Sequence, residues 1–250
     1  MNGSARIRLD DALVARGLYP SRSRARDAIL RGAVTVNGTK AAKPAQLIGQ
    51  ADAISLADAA HGYVSRAALK LIAGLDHFGL SPEGLDALDI GSSTGGFIQV
   101  LLDRGATHVT GIEVGHGQLH PSLGADPRVT NLEGLNARDL ADDHIKGREI
   151  RFITSDVSFI SLKLALPPAL ELAKAGAYCL LLAKPQFEAG RAAIGKGGLL
   201  KDLSEGERVA ADLAQWLDVQ PRWRALGLCR SPIEGGDGNR EYLLAGVKDQ

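Results

Sequence analysis

Leu88-Asp89-Ile90-Gly91-Ser92-Ser93-Thr94-Gly95-Gly96-Phe97 is the stretch on which the fold of this 250-residue chain turns. Asp86–Ile90 reads as a short apolar strand, and Gly91 lets the backbone turn sharply out of it. A helix over about 95–104 follows, which Gly95 and Gly96 allow to pack closely. Working outward, apolar strands are expected at His108–Val114, Arg128–Glu133, Ile150–Val157 and Ala177–Lys184. Helical patterns at about 116–123, 137–143 and 161–175 separate them, and Val64–Phe78 reads as a helix before the first strand. Alternation of this kind predicts an α/β, Rossmann-like, doubly wound parallel sheet. A helix near 205–219 and strands near 222–230 and 240–247 follow, the last pair placed to add an antiparallel edge.

Residues 1–60 read differently. Arg8–Arg16 and Arg22–Arg31 have helical spacing, Ser21 is a suitable N-cap and Gly17 and Gly32 are stop signals. Val34–Val36 runs into an Asn37-Gly38 turn, and Asp52–Leu56 can return as its partner strand. A small α+β domain at 1–60 is therefore expected ahead of a larger one at 61–250. Between them, Ala57–Gly62 fits either a short linker or an ordered turn.

Composition narrows the classes. The chain is 45% hydrophobic and 23% charged, which excludes collagen-like and wholly disordered proteins. The formal net charge is zero, which argues against polyanion binding over the whole surface. Charge is unevenly spread, however: residues 1–60 hold nine basic and five acidic residues, a basic head on a slightly acidic body. The two cysteines, Cys179 and Cys229, form no CxxC or Cys/His cluster, so neither a disulfide framework nor a metal site is expected. Cys179 lies in the apolar run Ala177–Ala183 and reads as a buried thiol. That run of seven residues is far below the roughly 20 needed to span a bilayer. With no leader-like apolar segment at the start, a cytoplasmic protein without stable membrane association is expected.

The glycine spacing, Gly-x-x-x-Gly-Gly, departs from the Gly-x-Gly-x-x-Gly of dinucleotide sites. S-adenosylmethionine, which carries no phosphate and has a cationic sulfonium, fits it better than a nicotinamide or flavin cofactor. The expected cofactor residues are Asp89, Gly91, Ser92, Ser93, Thr94, Gly95, Gly96 and Phe97, with Asp89 facing the amino-acid end. Glu113 closes the next strand, where a carboxylate accepts hydrogen bonds from ribose hydroxyls. Asn136 fits two readings, a contact to the adenine edge or a helix N-cap. Asp156 joins this set from the end of the fourth strand. Four polar residues stand out beyond the cofactor loop: Lys70 on the first helix, Glu241 opening the last strand, and Asp156 and Lys184 ending the fourth and fifth strands, where ligands bind in open α/β sheets. Lys184 closes an apolar run, which is unusual because lysine is rarely buried unpaired.

These four resemble, in order and strand context, the Lys-Asp-Lys-Glu tetrad of the FtsJ/RrmJ-like 2′-O-ribose methyltransferases. The whole of residues 6–247 resembles the TlyA group, in which an S4 RNA-binding domain precedes that methyltransferase fold. Arg8–Arg16, Ser21–Arg26, Val34–Gly38, Gly115-His-Gly-Gln-Leu119 and Lys184-Pro-Gln-Phe-Glu188 carry this second likeness. The resemblance implies an rRNA 2′-O-methyltransferase, acting on cytidine, with ribosomal RNA or ribosomal subunits as partners. In it Lys184 contacts the hydroxyl and assists proton removal, desolvation and nearby positive charge lowering its pKa. Asp156 holds Lys184, and Glu241 orients Lys70 and Lys184. Arg8, Arg22, Arg24, Arg26 and Arg66 are expected to meet RNA, as guanidinium forks match phosphate oxygens. The glycine-rich loops Glu188–Asp202 and Ser231–Asn239 border the catalytic face and read as segments that order on RNA. The competing readings are a non-catalytic RNA-binding or ribosome-assembly protein, a haemolysin-like membrane-active protein, and a nicotinamide enzyme.

Overall fold

The computed structural model describes residues 6–236 and 238–250. The first five residues, where the absence of a leader was read and the expected head begins, lie outside that set, as does position 237 of the 231–239 loop. The chain divides into two compact units, Met1–Gly62 and Tyr63–Gln250.

The first unit runs β1 (Ile7–Arg8), α1 (Leu9–Ala15), α2 (Arg22–Leu30), β2 (Val34–Val36), β3 (Thr39–Lys40), β4 (Leu47–Ile48) and β5 (Ile54–Leu56). Strand β2 lies between β3 and β5, all antiparallel, and β1 pairs with β4. Leu9, Ala12 and Leu13 of α1 meet Ala25, Ala28 and Ile29 of α2 in a small core closed by Val34, Val36 and Ile48. The Ser21 hydroxyl accepts from the Arg24 N–H, the cap expected from sequence. Segment 57–62 is an ordered turn rather than a loose linker. The Asp58 carboxylate accepts from the Tyr19 hydroxyl at 2.7 Å, from the Arg31 guanidinium and from the Ala60 N–H.

The second unit opens with α3 (Ala68–Phe78) and continues β6 (Asp86–Ile90), α4 (Gly96–Asp103), β7 (His108–Glu113), α5 (Pro121–Gly124), β8 (Val129–Glu133), α6 (Asp142–Ile145) and β9 (Ile150–Ser155). Then follow α7 (Leu162–Ala165), α8 (Pro167–Leu172), β10 (Tyr178–Ala183), α9 (Pro185–Glu188), α10 (Leu203–Asp218), β11 (Trp223–Arg230) and β12 (Tyr242–Lys248). The seven strands stand in the order β11-β12-β10-β9-β6-β7-β8. Only β12 runs against its neighbours, so the late pair does supply the antiparallel edge. One apolar layer packs on each face of the sheet, the first around Leu88, Ile90, Ile153 and Leu181, the second around Leu71, Ile98, Phe152 and Leu180. Cys179 is fully buried, and burial pushes its thiol well above the usual range.

Four expected helices come out shorter or broken. The Val64–Phe78 pattern is helical only from Ala68, and the one at 137–143 divides into a tight turn at Ala137–Asp139 and the short α6. The pattern at 116–123 yields a helix only from Pro121: Gly117 takes a φ of +65°, outside the helical region, and the Gly115 and Gly117 N–H groups donate to the Glu113 and Glu133 carboxylates. The pattern at 161–175 breaks into α7 and α8 at Pro167-Pro168, where two N–H donors are missing.

The close of the sheet has its own anchor. Lys248, 9% exposed, donates to the carbonyls of Leu170, Glu171 and Ala173 at 2.8, 3.1 and 2.8 Å. A cation there satisfies carbonyls that the end of α8 leaves open. Lys248→Met should lower stability by about 1–3 kcal/mol. Urea denaturation checks this, and an unchanged midpoint would contradict the anchoring role.

Candidate active site

The site forms where the strand order reverses, between β6 and β9, beyond their carboxyl ends. Gly91 has a φ of +85°, and a Cβ there would come within 3.0 Å of the Asp156 carbonyl oxygen. Only glycine allows the β6 turn and the β9 end to approach this closely. Gly95 (φ +94°) and Gly96 serve packing instead. A Cβ on Gly95 would meet Leu123 at 2.4 Å, and one on Gly96 would meet Ser65 at 2.8 Å.

A cavity of about 590 Å³ opens beyond this turn, within the size range of small-molecule sites. Gly91, Ser93, Glu113, Asn136 and Asp156 line it, together with apolar Ile90, Ile112, Leu135, Ala137 and Val157. Of the cofactor residues expected from sequence, Asp89, Ser92, Thr94, Gly95, Gly96 and Phe97 do not line it. Phe97 is 3% exposed and belongs to the core. Ser92 is buried and bonds to Asn131. Asp89 sits beneath the turn, fully enclosed. Thr154 donates to its Oδ1 at 2.7 Å, while its Oδ2 has no hydrogen-bond partner among the described residues. Burial, with smaller repulsion from Asp156 and Glu113, pushes the Asp89 carboxyl up to about 7.

Glu113 and Asp156 stand on the strands either side of β6, which at two strand spacings separates their backbones by roughly 10 Å. An amphipathic ligand with a hydroxylated end and a cationic end fits between them. The Ser93 and Gly115 N–H groups already donate to Glu113, at 2.9 and 2.8 Å. The Gln118 amide adds a longer bond at 3.4 Å, so of about four acceptor sites on the carboxylate one is left for a ribose hydroxyl, and a second where the ligand displaces Gln118. Asn136 takes the N-cap role and leaves the adenine contact open. Its Oδ1 caps the turn at Ala137–Asp139 through the Arg138 N–H, and the residue still faces the cavity.

A second cavity of about 390 Å³ adjoins the first, and Ser158, Phe159 and Lys184 line both. Lys184 Nζ lies 2.6 Å from Asp156 Oδ1 and donates to Ser158 Oγ at 2.8 Å. The register that sets Ala183 opposite Tyr242 brings Lys184 level with Glu241, which lines the second cavity. Glu241 binds Lys70 directly, and both are buried. Burial raises the Glu241 carboxyl above its ordinary range against the pull of Lys70. Lys70 reaches this point because α3 packs tightly on β10; one turn further on, a Cβ on Gly74 would strike Leu180 at 2.7 Å. The tetrad is thus two largely buried ion pairs, Lys184–Asp156 and Lys70–Glu241. Glu241 hydrogen-bonds Lys70, whereas Asp156 and Ser158 hold Lys184.

Phe159 was not singled out by the sequence reading. It is 91% exposed, takes a φ of +65° and packs its ring 5.2 Å from that of Phe187. An exposed aromatic in the left-handed region is uncommon and clusters at functional sites. The two glycine-rich loops are folded against each other. The buried Asn239 side chain donates to the Gly198 carbonyl and accepts from the Leu200 N–H.

The basic head differs from expectation. Asp10 is fully buried and draws in two guanidiniums, Arg8 at 2.9 Å and Arg22 at 3.1 Å, and Arg22 also meets Asp11 at 2.7 Å. Hydrogen bonds from Arg8, then Arg22, hold the Asp10 carboxyl far below the usual range. Arg8 and Arg22 are therefore committed within the unit rather than offered as free forks. Arg24 is half-buried and donates to the Ala60 carbonyl. Arg26 is exposed and forms no ion pair among the described residues; with Arg22 and Ser23 it lines a concavity of about 380 Å³. Arg66, in the second unit, is half-buried ahead of α3.

The sheet order and a pocket of this donor set define the Rossmann-like methyltransferase class, whose methyl donor is S-adenosylmethionine. Comparison with known proteins agrees: residues 63–248 match the FtsJ-like methyltransferase family and residues 7–54 match the S4 domain. The chain is 42% identical to the 16S/23S rRNA (cytidine-2′-O)-methyltransferase TlyA of Mycobacterium tuberculosis, over 96% of this chain and 89% of that one. It is 38% identical to Hemolysin A of Brachyspira hyodysenteriae, over 95% and 98%. A solved structure of a candidate hemolysin from Streptococcus thermophilus superposes with a TM-score of 0.76 at 36% identity, covering 99% of this chain and 90% of that one. This chain belongs to the TlyA family of FtsJ-like methyltransferases that carry an S4 domain.

Among the described residues no cluster of His, Cys, Asp and Glu could hold a metal, and no helix is long and apolar enough to cross a membrane. Glu113→Ala should weaken S-adenosylmethionine binding about tenfold or more, as hydrogen bonds to a charged group contribute about 1.5–3 kcal/mol each. Titration calorimetry measures it, and unchanged affinity would remove Glu113 from the site.

Proposed function

We propose that this protein methylates a ribose 2′-hydroxyl of ribosomal RNA, on cytidine, in the cytoplasm, the first cavity holding the methyl donor and the second the acceptor ribose. One observation carries the reading: Lys184 faces both cavities from their junction and is held by Asp156. When bound, S-adenosylmethionine supplies a methyl group activated by its sulfonium. Glu113 receives the cofactor's ribose hydroxyls, and the apolar residues from Ile90 to Val157 enclose its base. The acceptor hydroxyl is a poor nucleophile, so placing it in line with the methyl group supplies much of the rate. Lys184 orients that hydroxyl and would assist removal of its proton as the oxygen–carbon bond forms and the donor's sulfur–carbon bond breaks, the sulfur leaving as the neutral thioether S-adenosylhomocysteine. Asp156 and Ser158 keep its amino group at the junction. The Lys70–Glu241 pair supports the far side of the second cavity. Phe159, exposed at the shared mouth, offers a face on which an unstacked base can lie, the usual mode for single-stranded RNA.

Residues 1–60 act as the RNA-binding head. Phosphate contacts there give affinity and salt dependence, while base choice comes from elsewhere. Arg26 has the freest guanidinium of the expected set.

Two tests follow. Lys184→Ala should abolish methyl transfer to ribosomal subunits that lack the modification and leave S-adenosylmethionine binding within about threefold. Full activity of that variant would overturn the catalytic assignment. Arg26→Ala should reduce the slope of log affinity for RNA against log salt by about 1, and Arg22→Ala should change it less. Equal slopes in wild type and Arg26→Ala would remove the phosphate contact.

A further inference from the structure

Two loops that meet at the active site are joined side by side. Residues 156–162 leave β9, and residues 184–188 leave β10. Asp156 and Ser158 both contact Lys184, the Phe159 ring packs on Phe187, and Ser161 and Leu162 both bind Glu188. The first of these contacts belong to the catalytic lysine. The last belongs to a carboxylate that lines neither cavity.

The Glu188 contacts are two-pronged. Oε2 accepts from the Ser161 hydroxyl at 2.5 Å, and Oε1 from the Leu162 N–H at 2.7 Å. Ser161 Oγ in turn accepts the Lys163 N–H at 3.1 Å, capping α7. Glu188 thereby fixes the far end of the 157–161 loop. Its near end is fixed by the Asp156 N–H donating to the Ile90 carbonyl at 3.0 Å. Between these anchors lie Ser158, which holds Lys184, and Phe159, whose left-handed backbone persists only where its surroundings enforce it. A ladder bond accounts for the near anchor; the far anchor is a side chain.

We propose that Glu188 is a positioning residue for methyl transfer, acting through Ser161 and Leu162 to hold Ser158 against Lys184 and Phe159 at the mouth shared by both cavities. The proposal rests on reading those cavities as cofactor and ribose sites. Catalysis is sensitive to such placement, since a displacement of about 1 Å costs on the order of a hundredfold in rate.

The test compares wild type, Glu188→Ala, Glu188→Gln, Ser161→Ala and the Glu188→Ala/Ser161→Ala double variant, with purified ribosomal subunits lacking the modification as substrate. Glu188→Ala should lower kcat about tenfold to a hundredfold, with S-adenosylmethionine affinity within about threefold of wild type. Glu188→Gln, which keeps an acceptor for the Leu162 N–H, should recover much of the loss. Adding Ser161→Ala to Glu188→Ala should cost less than about a further twofold, because the two residues act as a unit. A readout independent of turnover uses Phe159→Trp as a reporter, after subtraction of the parent emission. Its fluorescence anisotropy should fall with Glu188→Ala and be restored by Glu188→Gln. Unchanged kcat and unchanged reporter anisotropy in a folded Glu188→Ala variant overturn the proposal. So do losses of kcat, cofactor affinity and Tm in parallel, or fully additive effects with Ser161→Ala. If the wild type transfers no methyl group to RNA, the ribose reading fails, and the reporter still decides whether Glu188 holds the loop.

Discussion

A lysine at the end of a buried apolar strand needs fixed partners in place of water, and at Lys184, where Asp156 and Ser158 supply them, this constraint organises the catalytic end of the molecule. Lys184 follows the six-residue strand Tyr178–Ala183 and is 9% exposed. Without Asp156 its ammonium would be desolvated and uncompensated, a situation that costs several kcal/mol. Asp156 can meet it because β9 is the parallel neighbour of β10, in a register that sets Ser155 beside Leu181, and on the other side of β9 Gly91 lets the β6 turn approach the Asp156 backbone. The same closeness shapes the first cavity. The second ion pair, Lys70–Glu241, extends the pattern from the helix that packs on β10 to the antiparallel strand beside it. Two pairs, drawn from four separate elements, thus hold one end of the sheet in a single arrangement.

Arrangements of this kind are weak sources of net stability, because desolvation offsets much of the attraction. Their value here lies in geometry. A hydroxyl that reacts by in-line placement needs a fixed contact, and a lysine tied to a carboxylate and a serine provides one. The head shows the same physics in another use. Asp10, buried, gathers Arg8 and Arg22 and orients them on the surface rather than leaving them as mobile charges. There the pairing lowers what those arginines can offer a phosphate and leaves Arg26 as the exposed member.

Much of this was legible in the sequence. Strands of the large unit show as apolar runs bounded by glycine or charged residues, and their observed limits fall within a residue or two of the reading. The 116–123 pattern misleads because Gly117 adopts a left-handed backbone, which a glycine permits but does not announce. Helix 161–175 was cut by a Pro-Pro pair that the pattern itself contained. In the site, Asp156 and Lys184 stand out in sequence as charged residues closing apolar strands, whereas Lys70, on a helix, and Glu241, ahead of a strand, join them through the resemblance to the tetrad. Phe159 and Glu188 do not stand out, since their significance lies in contacts between loops 26 to 28 positions apart. The same holds for Arg22, whose acidic partner Asp10 is 12 positions earlier and gives no sign in sequence of being buried. The turn Leu88–Phe97 was read as a ligand loop throughout, whereas only Ile90, Gly91 and Ser93 of it face the cavity; the remaining residues hold the helix and strand together.

A ribose 2′-hydroxyl acceptor leaves a chemical mark on the RNA that alkali reveals. Ribosomal subunits lacking the modification are incubated with the protein and S-adenosylmethionine carrying a labelled methyl group, and the purified RNA is then hydrolysed in alkali. A methylated 2′-oxygen cannot attack the adjacent phosphate, so that linkage survives. Label is expected in alkali-resistant dinucleotides beginning with a 2′-O-methylated nucleoside. Label recovered in mononucleotides would place the methyl group on a base and rule out ribose methylation.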